Sequence, residues 1–126
     1  MKQPESSLSY RIMNELRARG IFCFKVHGGP TMMNGLPDVI ACIPVEAMWR
    51  CGTARAHVDD VPRHHGIFVG FETKMIGNGP SPIQRRRHDQ IHESSGLVCV
   101  PHSVDEALAF VDWVQGGQPA DQDPRR

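Results

Sequence analysis

The chain has 126 residues, enough for one domain with a real core and too few for two. Its 40% hydrophobic and 22% charged residues fit a soluble globular protein; no run approaches the roughly 18 apolar residues of a membrane span, and the polar N-terminus lacks a secretory apolar segment. Lysines and arginines (14) equal aspartates and glutamates (14), so no global field draws the chain onto nucleic acid and any such binding must use local basic clusters.

In chain order, Ser6 to Arg19 reads as an amphipathic helix, with Leu8, Ile12 and Leu16 at every fourth position and Gly20 at its C-terminal cap. Ile21 to Val26 reads as a strand followed by a Gly-Gly-Pro loop, Asp38 to Pro44 as a second strand and Gly66 to Lys74 as a third. The stretch between the last two, Val45 to His65, is too long for a tight hairpin and reads as an insertion with some structure of its own. Trp49 and Met48 give that insertion a candidate packing surface. Ser81 is an N-cap ahead of Pro82 and opens a helix to about Ser94. Leu97 to Val100 is a short strand, and Ser103 with Glu106 forms a capping box before a last helix. Residues 1–115 form the domain, and the Gly-, Gln- and Pro-containing stretch 116–126 reads as a disordered tail. The order α-β-β-β-α-β-α describes an α/β domain with a mixed sheet flanked by helices. Cys23, Cys42, Cys51 and Cys99 show no CxxC pairing, which with the missing signal favours reduced thiols in a cytoplasm.

Three short strings carry chemistry: Gly35-Leu36-Pro37-Asp38, Glu72-Thr73-Lys74 and Ser81-Pro82-Ile83-Gln84. Strand side chains alternate, so Glu72 and Lys74 share a face and Thr73 points away. If the strand carrying Asp38 pairs with the strand before Glu72, two carboxylates and an ammonium converge. Such a group can hold a divalent metal with a water beside it, the minimum equipment for cutting a phosphodiester. Gln84 also has a structural reading, since Ser81 to Gln84 fits a capping box in which the glutamine reaches back to the N-cap amide.

These strings, in this order and on these elements, resemble the virus-type replication-repair nuclease (VRR-NUC) branch of the PD-(D/E)xK nuclease superfamily. The resemblance runs from Glu5 to about Val114 and implies a restriction-endonuclease-like α-β-β-β-α-β core. It implies that Asp38 and Glu72 are metal-binding carboxylates, that Lys74 is the catalytic lysine, and that Gln84 is the glutamine following the ExK strand. It further implies Mg²⁺ or Mn²⁺ as cofactor, held by Asp38, Glu72 and the Thr73 backbone carbonyl, with Glu5 as the acid of the first helix and Glu15 as its rival. The implied activity is a metal-dependent DNA nuclease, a structure-selective endonuclease of replication, recombination or repair in a bacterial or phage-infected cell. Two alternatives stay open: a Holliday-junction resolvase, which would require a homodimer, and a non-catalytic nucleic-acid-binding module. The long 45–65 segment departs from the family pattern, where a short hairpin is usual.

Phosphate contacts need cations near the cut. Lys25 and His27 lie on the strand and loop before Asp38, and Arg85 and Arg86 follow Gln84 on the helix, with Arg87 next to them. His88 and His92 are spaced as in HExxH, but Asp89 replaces the required glutamate and no third ligand is evident, which excludes a zincin reading. Cys51, His57, His64 and His65 match no common zinc-finger spacing.

Overall fold

A computed structural model describes residues 4–46 and 64–116. The elements are α1 (Pro4–Ala18), β1 (Phe22–Lys25), β2 (Val39–Glu46), β3 (His64–Phe71), α2 (Pro82–Glu93), β4 (Leu97–Cys99) and α3 (Val104–Gly116).

The apolar stripe of α1 buries Leu8, Ile12, Met13 and Leu16. The helix stops in a paired terminal motif: Gly20 N–H donates to the Arg17 carbonyl at 2.9 Å and Ile21 N–H to the Leu16 carbonyl at 3.0 Å. Those two bonds need a left-handed residue at the turn, and Gly20 supplies it at φ 77°. Ile21 and Leu16 are both buried, completing the apolar contact that accompanies this motif.

The sheet has the order β1-β2-β3-β4, antiparallel at the first two junctions and parallel at the third. Its register sorts the side chains by face. Cys23, Ala41, Val69 and Leu97 are aligned across the four strands, as are Val39, Phe71 and Cys99, and this face forms the core with α1 and with Ala107, Phe110, Val111 and Val114 of α3. The opposite face is covered by α2 near β4, where Val98 and Gly96 are buried, and open near β1, where Phe22 and Phe24 are exposed. None of the helices among the described residues is long and apolar enough to cross a membrane.

Several sequence expectations change at their edges. β2 and β3 pair as far as Glu46 and His64, so residues 45, 46, 64 and 65 belong to the hairpin and not to an insertion. Residues 47–63, with Met48, Trp49, Cys51 and His57, lie outside the described residues, as does the tail beyond Gly116, which itself ends α3. Strand β2 runs past Pro44 because β1 pairs only as far as Cys42. Beyond that point the β1-side edge of β2 has no ladder in which a missing N–H would be felt, and the Pro44 carbonyl there accepts a hydrogen bond from Gln115 Nε2 at 3.1 Å. Cys42 is exposed on the open face of the sheet. The second capping box is half formed: Ser103 Oγ accepts from Glu106 N–H, but Glu106 Oε1 takes the His102 N–H instead of that of Ser103.

Candidate active site

Strand β3 ends at Phe71, one residue before Glu72, so the acidic string is not inside the strand as expected. The ladder nevertheless continues: Glu72 N–H donates to the Cys99 carbonyl at 2.9 Å and Lys74 N–H to the Pro101 carbonyl at 3.2 Å. This keeps the two-residue alternation. Thr73 turns its side chain to α1, where its hydroxyl lies 2.9 Å from Ser9 Oγ, while Glu72 turns to α2.

Asp38 sits one rung beyond the Val39–Phe71 pair and thus beside Glu72. Its position is set by Pro37, which is fully buried against Gly70; a Cβ on Gly70 would come within 2.5 Å of the proline ring. From the other side, Val26 N–H donates to the Asp38 carbonyl at 2.8 Å, so β1 ends against the same residue. Asp38 Oδ2 accepts two bonds, from the Thr73 amide and the Thr73 hydroxyl, each 2.8 Å. Thr73 therefore orients Asp38 with its amide and side chain. In extended backbone the Thr73 carbonyl shares an edge with its N–H, facing Asp38.

The first helix contributes Glu5. Its backbone carbonyl is 3.2 Å from the Thr73 hydroxyl, and its side-chain Oε2 accepts from the Met75 amide at 3.2 Å. Glu15 lies on the exposed C-terminal part of α1. Between the two candidate acids, the fold brings Glu5 to the carboxylates.

Glu72 is 1% exposed. Burial is the main cause that pushes its carboxyl up to about 8, followed by the Asp38 charge; Lys74 pulls the other way, and a hydrogen bond with Asp38 and the charge of Glu5 add to the rise. Two side chains of α2 reach it: Gln84 Nε2 donates to Oε2 at 3.0 Å, and His88 Nε2 lies 3.3 Å from Oε1. Burial, and after it the charge of His92, holds the His88 imidazole below its ordinary value.

Gln84 both caps its helix and contacts Glu72. Its Oε1 accepts from the Ser81 backbone N–H at 2.8 Å and its own backbone N–H donates to Ser81 Oγ at 3.3 Å, a complete capping box, while Nε2 remains for Glu72. His88 and Ser9 are the residues that sequence reasoning missed. The signal for His88 was its place one helical turn after Gln84, which puts both on one face; its pairing with His92 drew attention elsewhere. Ser9 stands one turn after Glu5 on α1 in the same way.

Among the basic candidates, Lys25 is half-buried at the end of β1, opposite Val39 and next to Asp38. Lys74 is half-buried beside Glu72. His27 is exposed on the following loop, and Arg85 and Arg86 are exposed on the first turns of α2. Arg87 is occupied, donating to the Asn34 carbonyl at 2.8 Å and to Gln90 at 2.9 Å.

Among the described residues, no group of three or more His, Cys, Asp and Glu side chains forms a ready metal cage. The donors that do converge nevertheless fit a hard divalent cation. Asp38 and Glu72 crowd two carboxyl groups together with a third, Glu5, near enough to oppose ionisation of Glu72. Hard oxygen donors of this kind suit Mg²⁺ or Mn²⁺, whose charge would let Glu72 ionise in place.

No model of a protein family matches the sequence, and no curated protein matches it. A solved structure described as a VRR_NUC domain matches the chain with a TM-score of 0.61 at 18% sequence identity, covering 88% of this chain and 97% of the other. With its mixed four-stranded sheet flanked by helices, the chain has the restriction-endonuclease-like α/β fold of a VRR-NUC domain.

Proposed function

We propose that the chain is a metal-dependent deoxyribonuclease, a structure-selective endonuclease acting in DNA replication, recombination or repair. The observation that carries this reading is the meeting of Asp38, Glu72 and Lys74 on neighbouring rungs of a sheet with the VRR-NUC fold. The solved structure is described by a nuclease name, which supports the same class of chemistry.

Asp38 and Glu72, with the Thr73 carbonyl, are the groups that would hold the cation. When bound, a divalent metal neutralises charge on the phosphoryl oxygens and makes a nearby water more acidic. Thr73 holds Asp38 in one orientation through two bonds, so this carboxylate need not be ordered when substrate arrives. Lys74, on the same face as Glu72, places its ammonium where it can hold the attacking water and stabilise negative charge developing on it. Lys25, Arg85 and Arg86 supply cations for flanking phosphates.

The test is a panel of linear, nicked, flapped and four-way DNA incubated with Mg²⁺ or Mn²⁺. Wild-type protein should cut at least one branched member in a metal-dependent way. Asp38→Asn and Glu72→Gln should each lose cleavage by orders of magnitude while staying folded by circular dichroism. Lys74→Met should slow single-turnover cleavage by roughly 10²–10⁴-fold while DNA affinity measured in Ca²⁺ changes little. Unchanged turnover in folded Asp38→Asn would remove the assignment.

A further inference from the structure

The nuclease reaction leaves the buried imidazole of His88 without a part. His88 is 7% exposed, and among the described residues its hydrogen-bond partner is Glu72, 3.3 Å away. An aliphatic side chain would fill that site without the cost of desolvating an imidazole. The polar group therefore calls for a use, and its geometry suggests one.

Gln84 and His88 stand at i and i+4 on α2, and each meets a different oxygen of the same carboxylate: Gln84 Nε2 at Oε2, 3.0 Å, and His88 Nε2 at Oε1, 3.3 Å. The base of this two-pronged grip is rigid. The Ser81 amide holds Gln84 Oε1, which fixes the amide so that its NH₂ faces Glu72. The terminal torsion of a glutamate is otherwise broad, so one hydrogen bond would leave the carboxylate plane free to swing. With His88 in its Nε2–H tautomer and Glu72 ionised, two donors on separate oxygens define the plane. An ionised carboxylate accepts at about four sites, so these two bonds leave it acceptor capacity for a cation.

We propose that His88 is a positioning residue for Glu72: with Gln84 it clamps the carboxylate against α2 and presents its remaining lone pairs in one orientation to a divalent cation. The inference rests on the nuclease reading above, and it concerns neither the cutting step nor a contact with DNA. Partners of metal-ligating carboxylates typically contribute 10–100-fold in metal affinity or activity.

Two variants of the full chain test it. His88→Leu keeps bulk and removes the donor; His88→Gln returns an N–H donor near the position of Nε2. Mn²⁺ affinity is measured by calorimetry without DNA, alongside melting temperature, single-turnover cleavage and DNA affinity in Ca²⁺. His88→Leu should lose about 10–100-fold in Mn²⁺ affinity with DNA affinity unchanged, and His88→Gln should recover most of the loss. Wild-type Mn²⁺ affinity in His88→Leu overturns the proposal, as does a His88→Gln variant that folds and binds Mn²⁺ no better than the leucine variant. Should His88→Leu fail to fold, His88→Gln decides alone: it must bind Mn²⁺ within a few-fold of wild type. A wild-type protein that neither binds Mn²⁺ nor cuts any DNA removes the nuclease reading itself, whereas one that does both, beside an unaffected His88→Leu, removes only the clamp.

Discussion

Glu72 is where burial and charge conflict most sharply. A carboxylate removed from water and set beside Asp38 and Glu5 keeps its proton up to about pH 8, whereas in the unfolded chain it titrates near 4.5. Between those values the folded state binds the extra proton, so the stability it confers is complete below pH 4.5 and is lost as pH rises through 8. Metal-free protein should therefore melt at progressively lower temperature between about pH 5 and about pH 9. The neutral isostere Glu72→Gln should flatten that slope, and saturating Mn²⁺ should do the same in wild type by favouring the ionised form. Metal affinity should rise over the same interval, because binding must displace the proton. Melting curves by circular dichroism and calorimetric titrations at several pH values check both. A metal-free melting temperature that climbs toward pH 9 would contradict this account of the buried carboxyl.

At the level of elements, α2 joins a helix start to the site through one side chain. Gln84→Glu isolates the two jobs. The new carboxylate can still accept from the Ser81 amide and preserve the capping box, but it would set a negative oxygen about 3.0 Å from Glu72 Oε2, where the wild-type amide donates. Cleavage should fall sharply at neutral pH while the helix persists, and thermal melting with single-turnover kinetics separates the outcomes; full activity would assign Gln84 to capping alone. That Gln84 serves both ends shows what was legible and what was not. The Ser-Pro-x-Gln string specified the start of α2 and the cap, because those depend on local chemistry. Strand pairing was legible at Asp38 and Glu72, where apolar runs abut the acids. The extension of β2 through Pro44 to Glu46 was hidden, since it depends on where β1 stops. His88 was hidden for a related reason: its partner lies sixteen positions away on another element, and only the packing of α2 over the sheet brings them together.

Over the whole molecule, charge decides how DNA could be held. With 14 basic and 14 acidic residues there is no net attraction, and the acids of the site would repel a backbone unless cations offset them locally. The fold places those cations on two elements bordering the carboxylates. Lys25 ends β1 beside Asp38, and Arg85 and Arg86 stand exposed on α2 immediately after Gln84. Arg87 offers an internal contrast, because its guanidinium is spent on the Asn34 carbonyl and Gln90 and braces the loop that leads to Asp38. If Lys25, Arg85 and Arg86 each neutralise a phosphate, replacing any one by alanine should weaken DNA binding uniformly across sequences. It should also reduce the slope of log affinity against log salt by about 0.9 for each phosphate left without its cation on duplex DNA. Arg87→Ala should leave that slope alone while lowering the melting temperature, since its bonds are internal. Fluorescence anisotropy with catalytically silent Asp38→Asn protein in Ca²⁺, repeated across a salt series, measures the slopes. Equal slopes in wild type and all three alanine variants would place the DNA on another face of the molecule and leave these cations as solvated surface.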